Sequence, residues 1–167
     1  MKHLKTVFCA AMLAAALPAA ATDTYYNNEV YFDEVIRAQE ASLYGTWQAV
    51  IPENPQSSIL SNTTVIRPDH TAVDITRISE QGQIFVLRQY STWTFNPATQ
   101  TYKQTVTGVE QSPPNGNSQL LSQFKSLTGL TETAKLKLYR DNLGNTHLTF
   151  EFQKPQGSIT AHYIKQQ

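Results

Sequence analysis

The chain has 167 residues, and its 13 Lys+Arg balance its 13 Asp+Glu, so the formal net charge is zero. Hydrophobic residues make up 40% of it and aromatic residues 10%, which is too apolar for a disordered chain. The low, balanced charge gives no electrostatic footprint for nucleic acid. Seven glycines and eight prolines are too few for a fibrous protein. These numbers indicate an ordinary globular domain.

Residues 1–21 have the pattern of a secretory signal peptide. A basic start precedes an apolar run over Val7–Leu17, and small residues at Ala19–Ala21 form a cleavage site. The apolar run is too short to span a bilayer as a helix, so we expect no membrane span. Cys9 lies inside this run, and the mature protein should therefore contain no disulfide. The alanine-rich signal favours a periplasmic or secreted protein.

Residues 22–42 are predicted to form a flexible arm followed by one short helix. The stretch Thr22–Asn28 is polar. From Glu29 to Ser42 the apolar residues fall at i, i+1, i+4 and i+5, which is the spacing of one helical face.

From residue 43 onward, apolar residues recur at every second position. Runs rich in Val, Ile, Thr, Tyr, Phe and Trp predict eight strands at 45–51, 59–67, 71–79, 83–95, 100–110, 133–140, 146–153 and 158–165. Short turns separate most of them, and no helix of 10–15 residues lies between them, which favours an antiparallel meander.

The last three strands also predict a register. If paired residue numbers sum to 311 across one turn and to 286 across the other, Leu148 faces both Tyr163 and Leu138. One continuous apolar face results, and a slip of one residue would mix the faces. The opposite face, with His147, Glu151 and His162, is predicted to be wet.

A sheet of eight strands with one buried face invites edge-to-edge aggregation unless it closes. We therefore predict an all-β fold, an eight-stranded antiparallel up-and-down barrel over residues 43–167, preceded by the short helix. A β-sandwich is the alternative. The interior of such a barrel is either filled by side chains or holds one small ligand, and the sequence leaves both open.

Three segments of the meander carry a resemblance. Leu43–Trp47 contains Gly-Thr-Trp, which resembles the Gly-x-Trp signature of lipocalins. Ile66–Ala72 is similar to the Phe-x-x-Asp-Gly-Thr turn of bacterial lipocalin-like domains, with His70 where glycine is usual. Tyr90–Phe95 resembles their tryptophan-bearing middle strand, so the likeness covers roughly 43–165.

The resemblance implies a calycin-type barrel in which Trp47 packs at the closed end. Lipocalins usually stack an arginine from a late strand across this tryptophan. The last strand here offers only His162 and Lys165 instead.

Candidate chemistry is sparse. His147 and His162 share a face near Glu151, but on a wet face with this spacing we expect no metal site. Nucleophile-elbow, zinc-protease and phosphate-binding motifs do not occur. Asp69, Asp74 and Glu110 alternate with apolar residues or lie in turns, as solvated residues do. We therefore predict no enzyme activity and no cofactor.

The connection 111–131 is long for a hairpin. After a turn-rich start it predicts a short helix with Leu120, Leu121, Phe124 and Leu127 on one face, ended by Gly129. Such a segment would be either a lid over a ligand cavity or a plug that completes the core.

The function expected from these features is that of a carrier or sensor of a small hydrophobic molecule, bound in the barrel. The predicted ligand-binding residues are Phe85, Leu87, Trp93, Phe95, Leu120, Phe124, Leu148, Phe150 and Tyr163. The alternative is a protein-binding barrel with a filled interior, such as a periplasmic protease inhibitor or adaptor that uses Thr22–Asn28 as an arm.

Overall fold

Nine antiparallel strands build the part of the chain that this computed structural model describes, residues 32–51, 58–80, 82–114, 125–155 and 157–167. The strands are β1 Phe32–Ile36, β2 Gly45–Ala49, β3 Ile59–Ile66, β4 Thr71–Glu80, β5 Gln83–Asn96, β6 Thr101–Ser112, β7 Thr131–Asp141, β8 Thr146–Lys154 and β9 Gly157–Lys165. A 3-10 helix, Glu40–Leu43, lies between β1 and β2. The predicted signal peptide and Thr22–Asn28 lie outside the described residues.

Strands β2 to β9 close into a ring. Each strand pairs with the next along the chain, and β9 pairs with β2 through Gln48↔Ile164. The ladder between β7 and β8 completes the circuit. The predicted barrel is confirmed, and the β-sandwich alternative is wrong.

All eight predicted strands form. The predicted register of the last three is also confirmed, since Leu148 pairs with Tyr163 on β9 and with Leu138 on β7. A slip of one residue would turn the inward apolar side chains of a strand to the outside, so the buried face favours this pairing.

The predicted helix over 29–42 is wrong where the structure describes it. Residues Phe32–Ile36 form β1, and only Glu40–Leu43 turn into a 3-10 helix. The β6–β7 ladder ends at Thr101↔Lys135, whereas β1 pairs with the rest of that edge of β7, for example Ile36↔Leu138. Pairing with β1 satisfies the backbone groups on the edge of β7 that β6 does not reach. Tertiary context therefore overrides the local helical pattern.

The 3-10 helix closes the end of the barrel at which β2 begins, here called the lower end. Leu43 and Trp47 are fully buried there, and Trp47 Nε1 donates a hydrogen bond of 2.7 Å to the Leu43 carbonyl. Lys165 Nζ lies 5.2 Å from the centre of the Trp47 ring, a cation–π contact from the last strand. Within the described ranges, none of the helical segments has the length and apolarity needed to cross a membrane.

Gly45 and His70 are among the positions of positive φ at the lower end. Gly45 has φ +126°, and a Cβ there would lie 3.3 Å from Lys165 Cε, so the close approach of the lysine requires glycine. His70 has φ 62° and occupies the position at which the similar turn of bacterial lipocalin-like domains usually has glycine. The centre of its ring lies 5.0 Å from that of the Trp93 ring. The histidine thus contributes a ring contact at a backbone conformation that favours glycine.

Candidate functional site in the barrel interior

The interior is divided into three levels. The lower cluster is apolar and consists of Ala38, Leu43, Trp47, Ala49, Ile66, Ala72, Trp93, Tyr102, Ala134, Leu136, Leu138, Leu148, Phe150, Phe152, Ala161 and Tyr163. The upper cluster is a smaller apolar group, Ile78, Phe85, Leu87, Val106 and Leu127. Between them lies the polar layer, made of Asn62, Thr64, Asp74, Thr76, Gln89, Ser91 and Gln104, all buried.

The strands produce these levels by alternation. Inward residues on β6, read from below, are Tyr102, Gln104 and Val106, which are apolar, polar and apolar. On β7 the buried carboxylate of Glu132 stands between Ala134 and Leu130, so the polar level continues there. Every second residue faces inward, and a polar residue at one inward position therefore brings its side chain into the core.

The predicted ligand-binding residues fall into two groups. Phe85 and Leu87 belong to the upper cluster. The lower cluster contains Trp93, Leu148, Phe150 and Tyr163, with Phe95 partly buried against it. Leu120 and Phe124 lie outside the described residues. The structure thus places the predicted apolar wall on both sides of the polar layer.

Aromatic rings pack closely in the lower cluster. The Tyr102 ring lies 5.7 Å from that of Trp93 and 4.9 Å from that of Phe150, and Phe150 meets Tyr163 edge-on at 5.8 Å. These separations are those of favourable aromatic pairs, so these residues serve as core.

Asp74 is the centre of the polar layer and is only 8% exposed. Thr64 donates its hydroxyl to Asp74 Oδ1. Gln104 Nε2 donates to Asp74 Oδ2 at 3.1 Å and to Ser91 Oγ at 2.9 Å, and Gln89 Nε2 approaches Oδ2 at 3.4 Å. Neighbouring strands β3, β4, β5 and β6 thus converge on one carboxyl group.

Burial raises the pKa of Asp74 above its ordinary value, because the interior disfavours the charged form. The hydrogen bonds from Thr64, Gln104 and Gln89 act in the opposite direction but do not outweigh burial. None of the ion pairs in the described chain involves Asp74. The carboxyl group is therefore held by neutral donors alone.

Two acceptor oxygens of the polar layer receive no hydrogen bond from the described residues. Asn62 Nδ2 donates to Thr76 Oγ1 at 2.8 Å, but its Oδ1 has no partner among the described residues. Gln89 Oε1 is buried in the same state. Buried oxygens that lack a donor cost about 1–3 kcal/mol each, so this level favours a molecule that donates hydrogen bonds to it.

Sequence reasoning missed this layer, since the expectation of a solvated Asp74 is wrong. The signal was present: Asp74 has the same parity on β4 as Ala72 and Ile78, which both face inward. An apolar residue two positions away on a strand marks the same face.

The outer wall holds a second polar cluster. His147 Nε2 lies 2.8 Å from Asp141 Oδ2, and His147 Nδ1 lies 2.9 Å from His162 Nε2. His147 and His162 share a face as predicted, but His147 is only 3% exposed, so the prediction that this face is wet there is wrong. The carboxylate joined to them is Asp141 and not Glu151.

Burial lowers the pKa of His162 to about 4, and the electrostatic influence of His147 acts in the same direction. Burial alone would raise the pKa of Asp141. Hydrogen bonds from His147, Asn145 and the Leu143 amide outweigh it and hold that pKa well below its usual range. In the described ranges, no three His, Cys, Asp or Glu side chains are grouped so as to hold a metal ion.

Comparisons with known proteins identify no family. Neither the protein-family models nor the curated proteins include a match to the chain. A redesigned β-barrel of known structure is similar, with 13% identity and a TM-score of 0.33, over 76% of this chain and 93% of that one.

Proposed function

We propose that the protein is an exported, non-enzymatic carrier or sensor that binds a small amphiphilic molecule inside the barrel. The observation that carries this proposal is a buried carboxyl group, Asp74, with no ion-pair partner in the described chain and with unpartnered acceptor oxygens beside it. A ligand that brings hydrogen-bond donors completes this layer.

The levels of the interior orient the ligand. Its donor-bearing head group lies in the polar layer, and its hydrocarbon part lies against Phe85 and Leu87 of the upper cluster. The lower cluster is the less suitable side, because its rings already pack on one another. A few polar groups above or below an apolar wall are typical of small-molecule sites.

The nature of the head group follows from charge. An amine brings a positive charge to Asp74, which compensates the burial of the carboxylate. A hydroxyl group donates a hydrogen bond but does not compensate the charge of the Asp74 carboxylate. A ligand carboxylate repels the Asp74 carboxylate. We therefore expect affinity to fall in the order amine, alcohol, carboxylate.

Two sequence features support the wider proposal. Residues 1–21 have the pattern of an export signal. The lipocalin resemblance gains from Lys165, whose ammonium group covers Trp47 where lipocalins usually place an arginine. Lipocalins bind small molecules in their barrels, and we extend that function to this chain.

The test is a fluorescence titration of the full chain with dodecylamine, 1-dodecanol and laurate, the first and last below their micellar concentrations and the alcohol below its solubility limit. Trp93 reports binding because it is the strand partner of Gln104 in the polar layer. Asp74→Asn should weaken dodecylamine binding at least tenfold, about 1.4 kcal/mol. Asp69→Asn, a change of the same kind in an exposed turn, should leave it unchanged. Equal affinity for laurate and dodecylamine would overturn the proposal.

A further inference from the structure

The wall of the barrel opens between β7 and β8. Their ladder runs from Arg140↔Thr146 to Lys135↔Glu151. Beyond that pair, β7 continues along β6 and β8 continues along β9. The two strands therefore part at the level of residues 131–134 and 152–154.

A cleft of about 430 Å³ occupies this opening. Outward-facing residues, among them Thr133, Glu151 and Gln153, form its outer part. Inward-facing Glu132, Ala134 and Lys154 form its inner part. Side chains of opposite parity on one strand line the same space, so the cleft passes into the thickness of the wall.

One residue of the cleft lining, Glu132, is paired with a residue of the polar layer. Glu132 is the strand partner of Gln104, and Gln104 donates to Asp74. Side chains paired in this way across two strands are in contact range. Glu132 of the cleft, Gln104 and Asp74 therefore follow one another on neighbouring strands, in the direction of the proposed head-group site.

An ion pair stands across the inner end. Lys154 Nζ lies 2.8 Å from Glu132 Oε1, and the two side chains are 15% and 8% exposed. Glu132 Oε2 is buried without a partner among the described residues, so it can accept a further donor. Lys154 is the last residue of β8, beside the turn to β9, where its side chain can swing toward solvent.

We propose that this cleft is a lateral part of the ligand site, through which an amphiphile reaches the polar layer, with Glu132 as the residue that accepts its donor group on the way. The inference rests on the proposed function. It adds that the ligand passes through the wall and not through the end of the barrel, and that Glu132 favours amines over alcohols.

A reversible staple tests the route. In a Cys9→Ser background, Thr133→Cys with Gln153→Cys joins the two strands across the cleft. Lys137→Cys with Thr149→Cys is the matched control, because these residues already pair in the closed part of the same ladder. Stopped-flow fluorescence with dodecylamine gives both rate constants.

We expect the cleft staple to slow association and dissociation at least tenfold and to leave Kd within twofold, with full recovery on reduction. The control staple should change neither rate. Where the cleft disulfide does not form, Thr133→Phe with Gln153→Phe fills the same space, and Lys137→Phe with Thr149→Phe is its control. Unchanged rates in the staple and the phenylalanine pair, with dodecylamine bound normally, overturn the lateral route and leave the proposed function standing.

Glu132→Gln tests the acceptor. The ratio of association rates, dodecylamine over 1-dodecanol, should fall at least threefold, whereas Glu110→Gln, at an exposed glutamate of β6 outside the cleft lining, should not change it. The ratio cancels any general loosening caused by loss of the ion pair, so an unchanged ratio rejects the role of Glu132. If neither compound binds the unmodified chain, the proposed function fails, and the lateral route fails with it.

Discussion

The lower cluster and the polar layer are built by the same strands, yet they satisfy their side chains in different ways. In the lower cluster, rings such as Phe150 find their partners within the fold. In the polar layer, Asp74 is held by neutral donors, and Gln89 Oε1 lacks a partner among the described residues. The first region stabilises the barrel by itself, whereas the second keeps unpartnered acceptor oxygens that we propose a ligand completes. This difference separates core from site.

The largest expected effect comes from breaking the lower cluster. Phe150→Ala should reduce the free energy of unfolding by about 4 kcal/mol, because it removes a buried ring and leaves a cavity. Phe95→Ala, at a partly buried ring beside the same cluster, should cost less than half as much. Urea unfolding measures both. A loss below about 1 kcal/mol at Phe150 would show that the cluster is not the stabilising region.

The outer histidines show how a polar cluster behaves when its members are joined to one another. The pKa of His162 is about 4 in the folded chain and 6.5 ordinarily, so the unfolded chain takes up the proton first. Its contribution to stability is complete above pH 6.5 and is lost as the pH falls toward 4, by about 3 kcal/mol.

His162→Gln should therefore lose less stability than the unmodified chain between pH 7 and pH 4. Thermal or urea unfolding at a series of pH values gives the two curves. Parallel curves would mean that His162 takes up its proton equally in the folded and unfolded chains.

The lower end also depends on one backbone position. Gly45→Ala should cost about 2 kcal/mol, because φ is +126° and the new Cβ would press on Lys165 Cε. Gly108→Ala is the control, since nothing lies within 4 Å of a Cβ there and no left-handed φ is involved. Equal effects at the two glycines in urea unfolding would contradict this explanation.

The smallest effect has the opposite sign and distinguishes the polar layer from the core. Asp74→Asn should raise the free energy of unfolding of the ligand-free chain at pH 7 by about 1 kcal/mol, because a buried carboxylate without an ion-pair partner is costly. The folded pKa is raised above 3.8, so the folded chain binds the proton more tightly than the unfolded chain does. The unmodified chain should therefore gain stability as the pH falls to 3.8. The difference in the free energy of unfolding between it and Asp74→Asn should shrink.

Asp69 gives the matching contrast. Hydrogen bonds from Thr71 lower its pKa, so its contribution to stability is present above pH 3.8 and is lost as the pH falls. Asp69→Asn should remove that loss on acidification.

If Asp74→Asn destabilises the chain at pH 7, the polar layer is a structural network and not an incomplete site.

The sequence predicted the barrel because its strands alternate. On β7 to β9 a slip of one residue would separate Leu138, Leu148 and Tyr163 onto different faces, and the structure has the register that keeps them together. The helix prediction over 29–42 failed because Ile36 and its neighbours pair with an edge of β7, which no local pattern reveals. The described apolar residues named as an inner wall do face the interior, but the division of that interior into two apolar levels was not predicted. Asp74 was assigned to solvent by residue type although its parity on β4 marks it as inward.

The central claim is that the polar layer receives a donor-bearing head group. A crystal structure of the full chain with dodecylamine tests it most directly. We expect the ligand nitrogen within hydrogen-bond distance of Asp74 and Gln89 Oε1, with the alkyl chain beside Phe85 and Leu87. A polar layer filled only by water, with dodecylamine elsewhere on the protein, would contradict it.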